Sequence, residues 1–236
     1  HQGQPQRRKI LTRLNGYHGV TVAAASMTAK PYNAAFGLPL KDFIHVDCPH
    51  YWRYRTLDES EEQYSQRLAE RLERVILSED PNTIAGFFAE PVLGAGGVIP
   101  PPAGYFPAIQ QVLWRYNIPL IADEVICGLG RTGVLWGSER FDLEPDIIVA
   151  SKCITAGYFP MGAVIVKPSV ADALDSAIAE EEEFAHGFTS AGHPVGCAIA
   201  LSAIELITTG GLLKNIQALS GQFESGLAAF ASHPHV

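Results

Sequence analysis

The sequence predicts an α/β fold built on a mainly parallel sheet. Three observations carry that prediction. Short apolar runs alternate with stretches of helical periodicity along the chain, the runs are apolar throughout rather than at every second residue, and several end in one charged residue. Strands apolar on both faces belong to a parallel sheet covered by helices on both sides. In such sheets ligands bind beyond the carboxyl ends of the strands, which is where Glu90, Asp123 and Lys152 fall.

Taken in order, residues 1–14 are basic and then apolar. Asn15-Gly16-Tyr17-His18-Gly19 places an aromatic pair between two glycines, a segment suited to unusual backbone angles and close ligand approach. Residues 20–42 are small and irregular, and 43–46 read as a short strand. A helix begins at Ser60, with Glu61 and Glu62 at its positive end; Tyr64, Leu68, Leu72, Val75 and Ile76 form one apolar face, and Glu70 and Arg74 are spaced for an ion pair. Residues 83–89 are a core strand running into Glu90-Pro91 and the loop Gly94-Ala95-Gly96-Gly97. A helix covers 107–116, and strands follow at 118–122, 146–150 and 162–166. Helices are expected at 169–179, from Pro194, and at 212–230, with the acidic residues 180–183 a solvated helix end.

The 236 residues suffice for one large domain with a sizeable core. Hydrophobic residues make up 47% and charged residues 18%, as in ordinary globular chains, and the net charge of −8 speaks against a nucleic-acid or anionic-membrane partner. No apolar run approaches the roughly 18 residues that span a bilayer, and the polar, basic start is not a secretory signal. The four cysteines are widely spaced with no C-x-x-C, so a reducing, cytoplasmic setting is expected. The chain lacks an initiator Met and reads as a piece of something longer.

Several chemistries are set aside. Gly128-Leu129-Gly130-Arg131-Thr132-Gly133 matches a dinucleotide fingerprint, but Val134-Leu135-Trp136-Gly137 opens no amphipathic helix and no acidic residue ends a next strand at the right distance. The histidines are scattered, so no metal site is expected, and no G-x-S-x-G marks a hydrolase. Asp123 and Lys152 remain. A buried amine beside Ser151 suits a Schiff base, and a carboxylate at a neighbouring strand end suits a protonated pyridine nitrogen, together describing pyridoxal phosphate (PLP). By spacing alone the two also suit a mutual buried ion pair.

The motifs Tyr17-His18-Gly19, Glu90-Pro91, Asp123-Glu124-Val125, Gly130-Arg131-Thr132-Gly133, Glu144-Pro145-Asp146, Ser151-Lys152, Thr155-Ala156-Gly157-Tyr158, His186-Gly187-Phe188-Thr189 and Gly192-His193-Pro194 occur in one order over nearly the whole chain. In this the chain resembles the class III, fold type I aminotransferases of the omega-amino-acid and amine:pyruvate group. The resemblance implies a three-layer α/β/α PLP-transferase large domain, an upstream phosphate-loop segment and a C-terminal small domain both lying outside residues 1–236, and a homodimer. It implies that Lys152 forms the Schiff base and shuttles a proton, and that Asp123 holds the ring nitrogen protonated. Tyr17 and Val125 pack on the two ring faces, Thr189 reaches the phosphate across a dimer interface, Glu90 lies near the ring, His18 supports the residues that touch it, and Arg131 is structural.

Cys153 stands where the family has Gly and is expected to crowd a tight turn. Ala95 and Ile126 replace a Glu and a Gln of the ornithine-type members. Those departures point away from ornithine or GABA with glutamate, and toward an amine or omega-amino acid with pyruvate. The alternatives are a PLP aminomutase or decarboxylase, and a non-catalytic dimerisation fragment.

Overall fold

The computed structural model describes residues 3–181, 186–228 and 230–233. Its elements, in chain order, are β1 (Lys9–Arg13), α1 (Val22–Met27), β2 (Phe43–Val46), α2 (Tyr51–Tyr54), α3 (Glu61–Ser78), β3 (Ile84–Ala89), α4 (Tyr105–Arg115), β4 (Leu120–Asp123), α5 (Gly137–Arg140), β5 (Ile147–Ala150), β6 (Ala163–Val166), α6 (Pro168–Glu181), α7 (Pro194–Thr209) and α8 (Leu212–Ala228). The strands form one six-stranded sheet in the order β2-β1-β3-β4-β5-β6. Every pairing is parallel except that of β5 with β6.

One face of the sheet carries the main core. Leu11, Phe87, Leu120 and Ala122 point toward Tyr64, Leu68, Leu72 and Ile76 of α3 and toward Phe106, Ile109 and Leu113 of α4, all of them buried. Strand side chains alternate between faces, so Thr12 and Ile121 point the other way. There Thr12 meets the Met27 carbonyl at the end of α1, and Ile121 shares a cavity wall with Val170 and Ala173 of α6. Helices therefore lie on both sides, giving the three layers expected. A second cluster, Leu129, Ala150, Ile154 and Ala200 with Ile204 and Ile207, packs α7 against the turn that follows β5.

Local chemistry explains the boundaries. Ser60 caps α3 through a capping box: its hydroxyl accepts from the Gln63 amide while the Gln63 side chain accepts from the Ser60 amide. His193 caps α7, its Nδ1 accepting from the Val195 amide, with Pro194 in the first turn. Asp146 ties the amino ends of β4 and β5 together, accepting from the Leu120 amide at 2.8 Å and pairing with Lys167. The glycines at 130 and 133 lie against α8. Gly133 O accepts from Gln217 of α8 at 2.7 Å, and Gly130 (φ 98°) lies against Leu213 and Ile216.

Some expectations are corrected. Residues 9–13 form an interior strand, which its charged ends disguised. Residues 22–27 form α1, capped by Thr21. α4 starts at Tyr105, two residues before the expected start, because Gly104 supplies a left-handed cap. Glu70 and Arg74 are both exposed and form no ion pair among the described residues, consistent with the small stabilisation such pairs give against the entropy of two long side chains. Of the acidic residues expected to end a helix, Glu182 and Glu183 lie outside the described residues, as does Ala229 of the expected last helix.

Phe87 is fully buried at the centre of the core, so Phe87→Ala is expected to cost about 3–5 kcal/mol, and Ser60→Ala about 1 kcal/mol. Urea denaturation midpoints of the two variants against the parent check the ranking.

Candidate active site

The site is built at the carboxyl edge of β1, β3, β4 and β5. Asp123 is the last residue of β4 and only 5% exposed. A carboxylate that deep requires donors, and it has one on each oxygen. His18 Nδ1 approaches Oδ2 at 2.7 Å, and the Val125 amide donates to Oδ1 at 3.1 Å. The His18 ring is itself sealed, its side chain 1% exposed, edge-on to Phe88 at 5.0 Å. Asn15 takes a left-handed φ of 65° and Gly19 a φ of 120°. Gly16 leaves room for the His18 ring, since a Cβ there would lie 3.0 Å from both the ring and the Arg13 carbonyl.

Glu90 follows β3, in the sheet layer beside Asp123, because Ala89 is in register with Ala122. It is 2% exposed. Its carboxylate accepts from the Tyr17 amide at 3.1 Å and from the Gly94 amide at 2.8 Å, joining the Tyr17-His18 segment to the glycine loop. That loop comes close: a Cβ on Gly96 would meet the Asn15 carbonyl at 2.4 Å. Ile126 lies over Gly94, against the position its Cβ would take. Tyr17 and Val125 are half-buried at this edge.

Lys152 corrects an expectation. It is exposed rather than buried, lying in the 3-10 turn over Lys152–Thr155 that follows the end of β5 at Ala150. Its φ is 49°, left-handed and unfavourable for a residue with a Cβ. The conformation is held from outside. Ser151 donates to the Met161 carbonyl at 2.9 Å, Thr155 donates to the Phe159 carbonyl at 2.5 Å, and Ile154 packs under α7. No Asp123–Lys152 ion pair forms among the described residues; the partner of Asp123 is His18. Cys153 does not crowd the turn through its backbone. Its φ is not left-handed, and its side chain packs on the cluster beneath α7.

Thr189 lies exposed on the segment that precedes α7. The structure thus brings together Tyr17, His18, Glu90, Asp123 and Val125, sets Lys152 just past the neighbouring strand, and leaves Thr189 outside that group. Arg131 is exposed, and its guanidinium lies 4.0 Å from Cys153 Sγ.

Three residues carry more of the site than their spacing announced. Arg13 is 1% exposed, donates to the Glu90 carbonyl and lies over the rings of Tyr105 and Phe106. Glu124 is 1% exposed and accepts from the Gly137 amide at 3.0 Å, the Ser138 amide at 2.7 Å and the Ser138 hydroxyl at 2.5 Å, closing the loop after β4. Thr12 is fully buried within 3.2 Å of His18 Nε2. The doubled acid Asp123-Glu124 after an apolar run was the available signal for Glu124; the other two had none.

The sequence pattern of the family described as Aminotransferase class-III matches residues 1–236. The chain is 47% identical over 233 residues to a Solanum lycopersicum protein named gamma aminobutyrate transaminase 1, mitochondrial, covering 98% of this chain and 45% of that one. It is 44% identical to a probable gamma-aminobutyrate transaminase 3 of Oryza sativa subsp. indica, covering 99% and 46%. Among solved structures it matches an omega-aminotransferase from Paracoccus denitrificans with a TM-score of 0.96 and 59% identity, covering 98% of this chain and 52% of that one. A PMP-bound aminotransferase from Vibrio fluvialis matches with a TM-score of 0.95 and 59% identity, covering 98% and 51%. The chain spans about half the length of these relatives.

Glu124 gives the site a pH signature. Burial pushes its carboxyl above the ordinary value of 4.5, against the bonds from Ser138 and Gly137, and the neighbouring Asp123 adds to the rise. In the window above 4.5 the folded state then holds more protons than the unfolded one, so this group's contribution to stability falls as pH rises. Glu124→Gln is expected to flatten that slope while lowering stability at every pH, because an amide cannot accept from all three donors. Denaturation midpoints of parent and variant from acid to neutral pH check both statements.

Proposed function

The chain belongs to the class-III aminotransferase family, and on that premise we propose that it is the cofactor-binding large domain of a PLP-dependent aminotransferase. The observation that carries the reading is Asp123: a sealed carboxylate at a strand end, held by one donor on each oxygen, in the layer beside Glu90 and one strand from Lys152. An ionised carboxylate keeps accepting capacity beyond two donors, which suits a cationic ring N–H. The half-buried Tyr17 and Val125 suit the faces of a flat heterocycle, and Lys152 supplies the amine for a carbonyl carbon. The donor set therefore fits PLP.

Bound PLP would supply the electron sink that makes the C–H beside a substrate amine acidic. The chain's own residues do the rest. Asp123 holds a proton at the ring nitrogen, with His18 and the Val125 amide keeping its oxygens in place. Lys152 Nζ takes the substrate proton and returns it at a different carbon. The strained, externally braced turn under Lys152 limits where that amine can swing. Tyr17 is held through its amide by Glu90, and Glu90 by Arg13.

The reaction proposed for the whole protein is transfer of an amino group from an amine or omega-amino acid to a keto acid, by a ping-pong route. Pyruvate is the acceptor favoured by Ala95 and Ile126, and gamma-aminobutyrate is one donor to try, given the names of the plant relatives. The phosphate loop and the small domain are assigned to parts of the protein outside residues 1–236. A homodimer is proposed as well, with Thr189 reaching the partner's cofactor phosphate; Tyr158 and Phe188, 84% and 77% exposed, suit such an interface.

In the full-length protein, Lys152→Ala is expected to abolish both transfer activity and the absorbance near the visible edge that develops with PLP. Retention of that band after borohydride and mutation would sink the assignment. Alanine formation from pyruvate is expected to outrun glutamate formation from 2-oxoglutarate with the same donor, and the reverse order would reject pyruvate. Release of CO2 without a ketone would point to a decarboxylase. Absence of yellow colour when residues 1–236 alone meet excess PLP would assign the chain a scaffold role when isolated.

A further inference from the structure

We propose that Phe159 and His193 are positioning residues for Lys152: the contact between their rings clamps the turn that carries the lysine to the start of α7. The relevance to a Schiff base rests on the PLP reading above, but the contact and its effect on the turn do not.

The turn needs a clamp. Lys152 and Ala156 bracket it, both with a left-handed φ of 49°, and a residue with a Cβ keeps that conformation only where its surroundings impose it. Relaxation of Lys152 to an ordinary φ would redirect its Cα–Cβ bond and with it the amine. The turn's own bonds, from the Ala156 amide to the Cys153 carbonyl and from the Tyr158 amide to the Thr155 carbonyl, close it locally and tie it to nothing else. The side-chain bonds that leave it both reach one short stretch: Ser151 donates to the Met161 carbonyl and Thr155 to the Phe159 carbonyl. Where residues 159–161 sit therefore decides where the turn sits.

That stretch is held by α7. The Phe159 ring lies 5.2 Å from the His193 ring, centroid to centroid, at an interplanar angle of 35°, within the range of favourable aromatic pairs. Its edge rests on the first turn of α7 at Gly196, where a Cβ would come within 2.8 Å of two ring carbons and 3.6 Å of Met161 Sδ. A glycine at this place leaves the ring its seat. The His193 ring is oriented by the helix itself, because its Nδ1 accepts from the Val195 amide at 3.2 Å. Cap, ring contact, strap and turn thus form one continuous linkage from the backbone of α7 to Lys152. Thr189 stands four residues before His193, so the same contact ties the lysine turn to the segment proposed above to reach the partner's phosphate. Phe159 and His193 act on the lysine through the turn.

The test is amide hydrogen exchange over residues 152–158 in the full-length protein without cofactor, for the parent, His193→Asn, His193→Phe and Gly196→Ala. Asparagine keeps an acceptor for the Val195 amide and removes the ring, whereas phenylalanine keeps the ring and removes the acceptor. Exchange is expected to quicken severalfold, up to about tenfold, in His193→Asn, as for loss of one aromatic pair. The same is expected of Gly196→Ala, although alanine favours the helix. His193→Phe is expected to keep the turn protected while lowering the urea midpoint. Equal exchange in His193→Asn and His193→Phe, or the reverse order, would overturn the proposal, since the helix cap alone would then matter. Growth of the absorbance near the visible edge on adding PLP to the same four proteins is the second reading, and it is expected to be slower in His193→Asn and Gly196→Ala than in the parent. A band that grows at one rate in all four overturns the positioning role. Absence of the band from all four, with exchange in the expected order, is a failure of the PLP reading and leaves the clamp standing.

Discussion

The hydrogen bond between His18 and Asp123 is the constraint around which the carboxyl edge of the sheet is arranged. A carboxylate 5% exposed at the end of a central strand is tolerable only if its donors are fixed. One donor is local, the Val125 amide two residues on. The other comes from the segment after β1, two strands away. To deliver it, the chain takes a left-handed residue at Asn15, keeps Gly16 free of a side chain, and seals the ring against Phe88. Glu90 performs the same service one strand over, clamping the Tyr17 amide and the glycine loop. The apolar layer of α3 and α4 beneath holds the strands in the register that makes these contacts meet.

Much of this was legible in the sequence, and the physical reasons differ by element. β3 and β4 are continuous apolar runs with nothing but a core to occupy, and α3 announces itself by Ser60, its acidic first turn and one apolar face. β1 was hidden because Lys9 and Arg13 bound it. Arg13 is buried among aromatic rings and a backbone carbonyl, an arrangement that no period reveals. α1 is six residues of small side chains, too short for helical periodicity to show.

The site divides the same way. Strand ends named Glu90, Asp123 and Lys152, because a charge after an apolar run stands out. Which charge pairs with which was not written there. Spacing allowed an Asp123–Lys152 pair, whereas the fold gives Asp123 to His18, 105 residues earlier. The expected burial of Lys152 failed although its strand ends at Ala150 as expected: the residue opens the 3-10 turn over Lys152–Thr155 and lies exposed there. Thr12 sat unremarked within a strand that was itself unrecognised.

The separations of these contacts bear on how the protein reaches this state. Arg13 meets Glu90 across 77 residues and His18 meets Asp123 across 105. Such closures come late, because the chain loses loop entropy before the contact returns anything. During synthesis, β1 and its Tyr17-His18 segment leave the ribosome well before the strands that satisfy them. Until β4 arrives, His18 has no carboxylate to face and an interior strand stands unpaired along one edge. That interval is one in which a growing chain is open to aggregation, so the residues that complete the binding edge are also the ones whose early unpaired state a folding helper would have to protect.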